Sequence, residues 1–232
     1  MSNNEKYLLL IWKDPQTRRN FTIGKLSYNG SYSFEYDDEI IEAEQVGWEL
    51  LKAFPERKIY ESETLFPIFS SRLPDKKRRD IQKILEKYDL EAFDEYELLR
   101  KSGARLPIDT YELIDPILPE QQTIDRDFFI MGIRHYAACT GVNCDQLMSV
   151  ALGDLLILEA EPANNYDIFA IRVLTKKGEH LGYIPRYYSH AVAEKLANGV
   201  TYSCQVVEVH RNHECSECVK VKLNMPGIGD TH

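Results

Sequence analysis

The sequence has fewer basic than acidic residues, and it lacks long apolar runs. Its 28 Lys and Arg residues stand against 37 Asp and Glu, for a formal net charge of -9. This balance argues against extended, non-specific binding to duplex DNA, because such binding uses many cationic contacts to phosphates. It does not exclude a small pocket that binds a strand end. No apolar run approaches the roughly 18 residues of a membrane span, and no basic, apolar leader begins the chain. We therefore expect a soluble, cytoplasmic protein.

The sequence also lacks the short motifs that identify common catalytic sites. It contains no G-x-x-x-x-G-K-[ST] loop, G-x-G-x-x-G turn, G-x-S-x-G elbow or H-E-x-x-H pair. It has no H-R-D-like kinase loop with a following metal-binding Asn, so phosphoryl transfer would lack its usual parts. Scattered Ser, His and Asp residues indicate no triad without geometry. We therefore expect a binding protein and not an enzyme.

Cysteine is scarce, with five residues, and the odd count favours reduced thiols or metal ligands over disulfides. Four candidate zinc ligands lie close together near the C-terminus: His210, His213, Cys215 and Cys218. Only Glu214 separates the histidine pair from the cysteine pair, whereas structural zinc sites usually join pairs that lie further apart in the sequence. The alternative is a polar hairpin tip between two strands. Zinc is the one cofactor for which the sequence offers candidate ligands.

The length of 232 residues predicts two domains. Residues 101–125 contain three prolines and no sustained periodicity, which is typical of an extended connection. We place a first domain at residues 1–115, a linker at 116–126 and a second domain at 127–232.

The first domain has the pattern of an α+β module. "KYLLLIWKD" and "FTIGKLSYNGSYSFEYDD" predict three short strands with a hairpin turn at Asn29-Gly30. Apolar residues at helical intervals predict a helix over residues 39–54, and Asp75 is placed to cap a second helix.

The second domain is predicted to be mainly β. Six strands are expected from "FFIMGIR", "DLLILEA", "DIFAIRVL", "HLGYIP", "TYSCQVVEV" and "CVKVKL". Two helices are expected over residues 144–152 and 189–196, the second closed by Asn198-Gly199. Six short strands with two helices predict a small, partly closed barrel or a sandwich.

One stretch of this domain, "EPANNYDIFAIRV" at residues 161–173, combines turn formers with an aromatic residue and a carboxylate. It is either an ordinary loop that leads into a strand or a binding loop in which Tyr166 offers a flat face beside Asp167. With "GIRHY", Gly153-Asp154 and "GEHLGYIPR", this stretch resembles the HIRAN domain over about residues 127–224. The resemblance implies an OB-like barrel that captures a single-stranded DNA end with a free 3'-hydroxyl, without catalysis.

The resemblance also implies roles for individual residues. Tyr166 and Asp167 fall where a base is stacked and the terminal hydroxyl is held. The remaining residues implied to contact DNA are Arg134, His135, Tyr136, Asn164, Tyr183 and Arg186, of which Tyr183 and Arg186 fall at phosphate positions. This sequence departs from the family where His135 replaces a stacking tyrosine and where Ala163 replaces an asparagine, which puts affinity or end selectivity in doubt.

The first domain has a resemblance of its own, over about residues 6–115. "VGWELLKAF", "LFPIFSSRLPDKKRRDI" and "YELLRKSGARLPIDTYEL" are similar to the small N-terminal subdomain of HipA-type toxin kinases. The kinase portion has no counterpart in this sequence, so the resemblance implies a protein-binding surface and no kinase activity. The alternative function is thus an antitoxin-like regulator that binds a HipA-type kinase.

Overall fold

The chain divides into two compact units, Met1–Pro116 and Ile117–His232. The computed structural model describes residues 6–118, 121, 123–136, 150–210 and 217–226. Each unit contains its own buried apolar side chains. No helix within these described ranges has the length and apolar character needed to cross a membrane.

The first unit is built on a five-stranded antiparallel sheet. Its strands are β1 (Lys6–Lys13), β2 (Asn20–Tyr28), β3 (Tyr32–Tyr36), β4 (Tyr60–Ser62) and β5 (Tyr111–Ile114), in the order β4-β3-β2-β1-β5. The three predicted strands and their hairpin are confirmed. In the turn, Asn29 N donates to Ser31 O at 3.0 Å, and Gly30 has a φ of +80°, which glycine adopts without a Cβ clash.

Four short helices complete the first unit: α1 (Ile40–Gln45), α2 (Pro67–Ser70), α3 (Ile81–Lys87) and α4 (Glu95–Ser102). The helix predicted over residues 39–54 is therefore too long. It ends early because Gly47 has a φ of +95°, which a right-handed helix cannot contain. Trp48, Leu51 and Phe54 beyond this point lack helical structure, yet they are buried in the core.

Two further expectations for the first unit are wrong. Asp75 does not cap a helix, because its carboxylate accepts the backbone N–H of Lys77 at 2.8 Å in a turn and α3 begins only at Ile81. Residues 101–125 are not a continuous extended connection, because β5 lies within them and pairs with β1. The prolines that suggested a linker flank this strand instead of excluding it.

The second unit contains two three-stranded antiparallel sheets. The first is formed by β6 (Ile124–Phe129), β10 (Ser203–Val209) and β11 (Val219–Met225), in the order β10-β11-β6. The second is formed by β7 (Ile157–Ala160), β8 (Ile171–Leu174) and β9 (His180–Tyr183), in the order β7-β8-β9. Each of the six predicted strands overlaps one of these, so the mainly β character of this unit is confirmed.

The two helices described in this unit are α5 (Ile133–Tyr136) and α6 (Arg186–Ala197). The prediction of α6 is confirmed, including its end at Asn198-Gly199. The strand predicted over residues 128–134 runs too far, because Gly132 turns the chain with a φ of +78° and α5 follows. Most of the helix predicted over residues 144–152 lies outside the described residues.

Isolated bridges join the two sheets of the second unit. Met131 pairs with Tyr183, and Leu155 pairs with Gln205. Gly182 permits the first approach, because a Cβ at this position would lie 2.3 Å from the carbonyl oxygen of Met131. The strands form no closed barrel among the described residues, so the OB-like barrel is not confirmed. The Met131 bridge nevertheless holds the segment before α5 against β9, which positions the aromatic cluster described next.

Candidate functional site

The loop that joins β7 to β8, residues 161–170, is closed by backbone hydrogen bonds at its two ends. Glu161 N donates to Ala170 O at 2.8 Å, and Ala170 N donates to Asp167 O at 3.0 Å. Asn164 N donates to Glu161 O at 3.0 Å, which closes a turn at the start of the loop. The loop is therefore held to both strands, and its tip carries the aromatic residue and the carboxylate of the sequence motif.

The side chain of Asn164 organises this tip. Its Oδ1 accepts the backbone N–H of Tyr166 at 2.9 Å and that of Asp167 at 3.2 Å. Such an Asx turn satisfies backbone donors that would otherwise need water. Tyr166, whose backbone N–H is bound in this turn, is 88% exposed.

The carboxylate of Glu161 is a shared acceptor beneath the loop. Its Oε2 accepts two hydrogen bonds of 2.7 Å, one from Nδ2 of Asn164 and one from the hydroxyl of Tyr183. Its Oε1 lies 3.9 Å from a guanidinium nitrogen of Arg172 on β8. The hydrogen bonds from Asn164 and Tyr183 hold the pKa of Glu161 below its ordinary value of 4.5. One ionised carboxylate thus ties the loop to β9.

Three rings form a cluster beside this carboxylate. Tyr136 lies with its ring centroid 4.1 Å from that of His180 and 5.3 Å from that of Tyr183, and the rings of His180 and Tyr183 are 4.9 Å apart. Burial lowers the pKa of His180 and raises that of the Tyr183 hydroxyl. Both shifts favour the uncharged forms of His180 and Tyr183. Tyr136 remains about half exposed at the edge of the cluster.

Asp167 is held by a different element. Its Oδ1 accepts the backbone N–H of Phe169 at 2.9 Å, and its Oδ2 accepts the hydroxyl of Ser189 at 2.7 Å. Ser189 lies in the first turns of α6 and is only 2% exposed. A carboxylate offers about four acceptor positions, so two bonds leave capacity for an external donor. Asp167 is thus oriented without being saturated.

The structure brings most of the predicted site residues into one region. Asn164 and Tyr183 meet at Glu161, and Tyr136 packs against Tyr183. Tyr166 and Asp167 share the loop that Glu161 begins. Arg134 and His135 are exposed on α5 beside Tyr136, and Arg186 is exposed at the first position of α6.

Sequence reasoning missed three contributors, namely Glu161, His180 and Ser189. The first two stand inside quoted motifs, "EPANNYD" and "GEHLGYIPR", and a carboxylate at the start of a turn-forming stretch was a usable signal for Glu161. Ser189 had no signal, because its bond to Asp167 spans 22 residues.

The candidate zinc hairpin is only partly covered by the structure. His213 and Cys215 lie outside the described residues. His210 Nε2 lies 2.7 Å from Glu208 Oε2, and Cys218 is fully buried. Across the described part of the chain, no three His, Cys, Asp or Glu side chains assemble as a metal site. The zinc assignment stays a prediction.

Comparisons with known proteins agree with both resemblances. Residues 125–224 match the family model of the HIRAN domain, a nucleic-acid-binding domain, and residues 18–107 match that of the HipA N-terminal domain. A search of the curated proteins found no match.

Two solved structures are similar to parts of the chain. The HIRAN domain of human HLTF is 20% identical, with 48% of this chain and 84% of that chain covered at a TM-score of 0.36. A protein from Lactobacillus plantarum is 22% identical, with 44% of this chain and 96% of that chain covered at a TM-score of 0.35.

The role of the Glu161 carboxylate as a shared acceptor can be tested with the variant Glu161→Gln. Because folding lowers the pKa of Glu161, its ionised form stabilises the fold above about pH 4.5, and this contribution disappears as the pH falls through the lowered pKa. We expect the variant to lose about 1–2 kcal/mol of unfolding free energy at neutral pH. Urea unfolding should show this difference shrinking in acid. Glu194→Gln, an exposed change on α6, controls for the loss of one charge, and a pH-independent difference would contradict the assignment.

Proposed function

We propose that this chain binds single-stranded DNA at a free 3'-hydroxyl end through the loop at residues 161–170. The observation that carries the proposal is the pairing of an outward-facing ring, Tyr166, with an adjacent oriented carboxylate, Asp167, on a loop held from below by Glu161. The match of residues 125–224 to the HIRAN domain supports a nucleic-acid ligand. The proposed role is capture of the strand end, with no chemical step.

Tyr166 is assigned the terminal base. Its ring is exposed on a turn whose backbone donors are already satisfied by Asn164, so stacking requires little further ordering of the loop. Any base presents a π-face, so this contact is tolerant of sequence. An apolar core residue would instead be covered by neighbours, as Tyr188 of α6 is.

Asp167 is assigned the terminal hydroxyl. A carboxylate that already accepts hydrogen bonds from the Ser189 hydroxyl and the Phe169 N–H can accept one more, and a 3'-hydroxyl can donate it. A 3'-phosphate offers charge of the same sign and is repelled. The same side chain therefore favours one kind of strand end and opposes the other.

Phosphates are assigned to Arg134 and Arg186. Both are exposed, on α5 and at the start of α6. Tyr183 is less suited to the phosphate role that the resemblance implies, because a phenol has one proton and Tyr183 donates it to Glu161. We assign Tyr183 to support of the loop.

A second role is suggested by two features of the N-terminal unit. It matches the HipA N-terminal domain over residues 18–107 and exposes apolar side chains, including Ile41 on α1 and Ile59. Arg57, two residues before Ile59, pairs with Glu44 of α1 and so ties the two segments together. We propose that this region contacts a HipA-type kinase.

Replacing Tyr166 by Ala should weaken binding to a short strand with a 3'-hydroxyl by roughly 1–3 kcal/mol, about five- to hundred-fold. Tyr166→Phe keeps the π-face and should bind like the wild type. Fluorescence anisotropy with labelled oligonucleotides measures both. Equal binding by all three proteins would remove Tyr166 from the interface.

Asp167→Ala should abolish the preference for 3'-hydroxyl over 3'-phosphate ends, because the acceptor and the repelling charge disappear together. Asp167→Asn separates these contributions, since it retains an acceptor oxygen while losing the charge. It should keep hydroxyl-end affinity and gain affinity for phosphate ends. If the wild type binds both ends equally well, capture of the 3'-hydroxyl is wrong.

The kinase role is tested by passing a purified HipA-type kinase over the immobilised full-length chain. We expect retention by the wild type and its loss in Ile59→Glu, because burying a new carboxylate at an interface is costly. Ile157→Glu, in β7 of the other unit, is the matched exposed control. No retention by the folded wild type would exclude this role for the kinase used.

A further inference from the structure

Ile168 and Phe169, the two residues after Asp167, have no role in the site described so far. They stand between Tyr166-Asp167 and the buried Ala170 in the stretch "EPANNYDIFAIRV". Both are apolar, and both reach solvent, with Ile168 65% and Phe169 38% exposed. With Tyr166, they place exposed apolar side chains before and after Asp167 in the sequence of the loop. A loop that only led into β8 would place its apolar residues inward, as Ala170 is.

Phe169 is held by two contacts, one made by its backbone and one made by its ring. Its backbone N–H donates to Oδ1 of Asp167 at 2.9 Å, which sets the position of the residue relative to the carboxylate. Its ring meets that of His190 edge to face, with centroids 4.3 Å apart and planes at 69°. Such an arrangement is favourable for aromatic pairs and leaves part of the Phe169 ring open to solvent.

The face of α6 beside the loop carries one cation and two polar side chains. Arg186, Ser189 and His190 stand at positions i, i+3 and i+4 and therefore share one face of the helix. Ser189 binds Asp167 and His190 contacts Phe169, so this face adjoins the loop. Arg186 adds an exposed cation at its N-terminal end. A cation on the helix face that also contacts an exposed ring suits a phosphate backbone with stacked bases better than it suits an apolar protein surface.

We infer that Phe169, supported by His190, is a second stacking platform that receives one base of the bound strand near its 3' end. The inference rests on the proposed function, because it takes the strand to be anchored at Asp167. Tyr166 precedes that anchor in the loop and Phe169 follows it, and each exposes ring surface that can receive a base. The loop then contacts the strand through two rings instead of one.

The first test compares Phe169→Leu with Phe169→Trp in the full-length protein. Leucine keeps an apolar side chain but has no π-face, so it should weaken binding to a short 3'-hydroxyl strand by about five- to hundred-fold. Tryptophan keeps a π-face and should bind at least as well as the wild type. Thermal unfolding of both variants checks that the fold is intact. Equal affinities for leucine, tryptophan and wild-type proteins would overturn the inference.

The second test moves one abasic site through the last few positions of the strand. With the wild type, the abasic position that faces Phe169 should reproduce the loss seen with Phe169→Leu. With Phe169→Leu itself, the same abasic strand should bind no more weakly than the intact strand, because the contact is already gone. If leucine weakens intact and abasic strands by the same factor at every position, Phe169 does not stack on a base.

Failure of this inference is distinguishable from failure of the proposed function. If the wild type prefers 3'-hydroxyl ends and Tyr166→Ala weakens binding while Phe169→Leu does not, end capture stands and the second platform is refuted. If the wild type shows no preference for a 3'-hydroxyl end, both are refuted. Coupling of Phe169 to a single base, in a protein that prefers 3'-hydroxyl ends, supports both.

Discussion

The site depends on one carboxylate that accepts two hydrogen bonds at the same oxygen. Glu161 binds Asn164 within the loop and Tyr183 on β9, so it links a local turn to the sheet beneath it. Asn164 can then turn its oxygen toward the backbone of the loop tip and leave Tyr166 exposed. Without the Glu161 carboxylate, Asn164 and Tyr183 would have no common hydrogen-bond acceptor. The exposed side chains at the loop tip therefore stand on a half-buried polar network.

A second support comes from α6 and acts on the other half of the loop. Ser189 is buried and donates to Asp167, while His190, one residue further, is exposed and contacts Phe169. The helix therefore orients the carboxylate with one residue and a ring with the next. Groups held in this way before a ligand arrives lose little conformational entropy on binding, which raises the affinity that few contacts can give. The proposed end capture relies on such positioned groups, because a chain with a net charge of -9 offers few cationic contacts to phosphates.

Local pattern predicted the strands better than the helices. Alternating apolar residues and the Asn29-Gly30 turn were enough to identify the hairpin of the first unit, because both signals act within a few residues. The helix expected over residues 39–54 had the right periodicity, but the backbone conformation of Gly47 overrides it. The strand expected over residues 128–134 ended early at Gly132 for a similar reason. In both places a glycine at positive φ changed the chain direction, and apolar periodicity does not report that angle.

The sequence by itself determined the turn-forming residues of the loop, its aromatic ring and its carboxylate, because an Asx turn needs only neighbours in the chain. It also carried the resemblances that the family models confirm. Only the tertiary structure decided which side chains hold the loop. Tyr183 reaches Glu161 and Ser189 reaches Asp167 across 22 residues in each case, and both contacts require β9 and α6 to pack beside β8. Such contacts depend on packing between elements, so neither spacing nor composition reveals them.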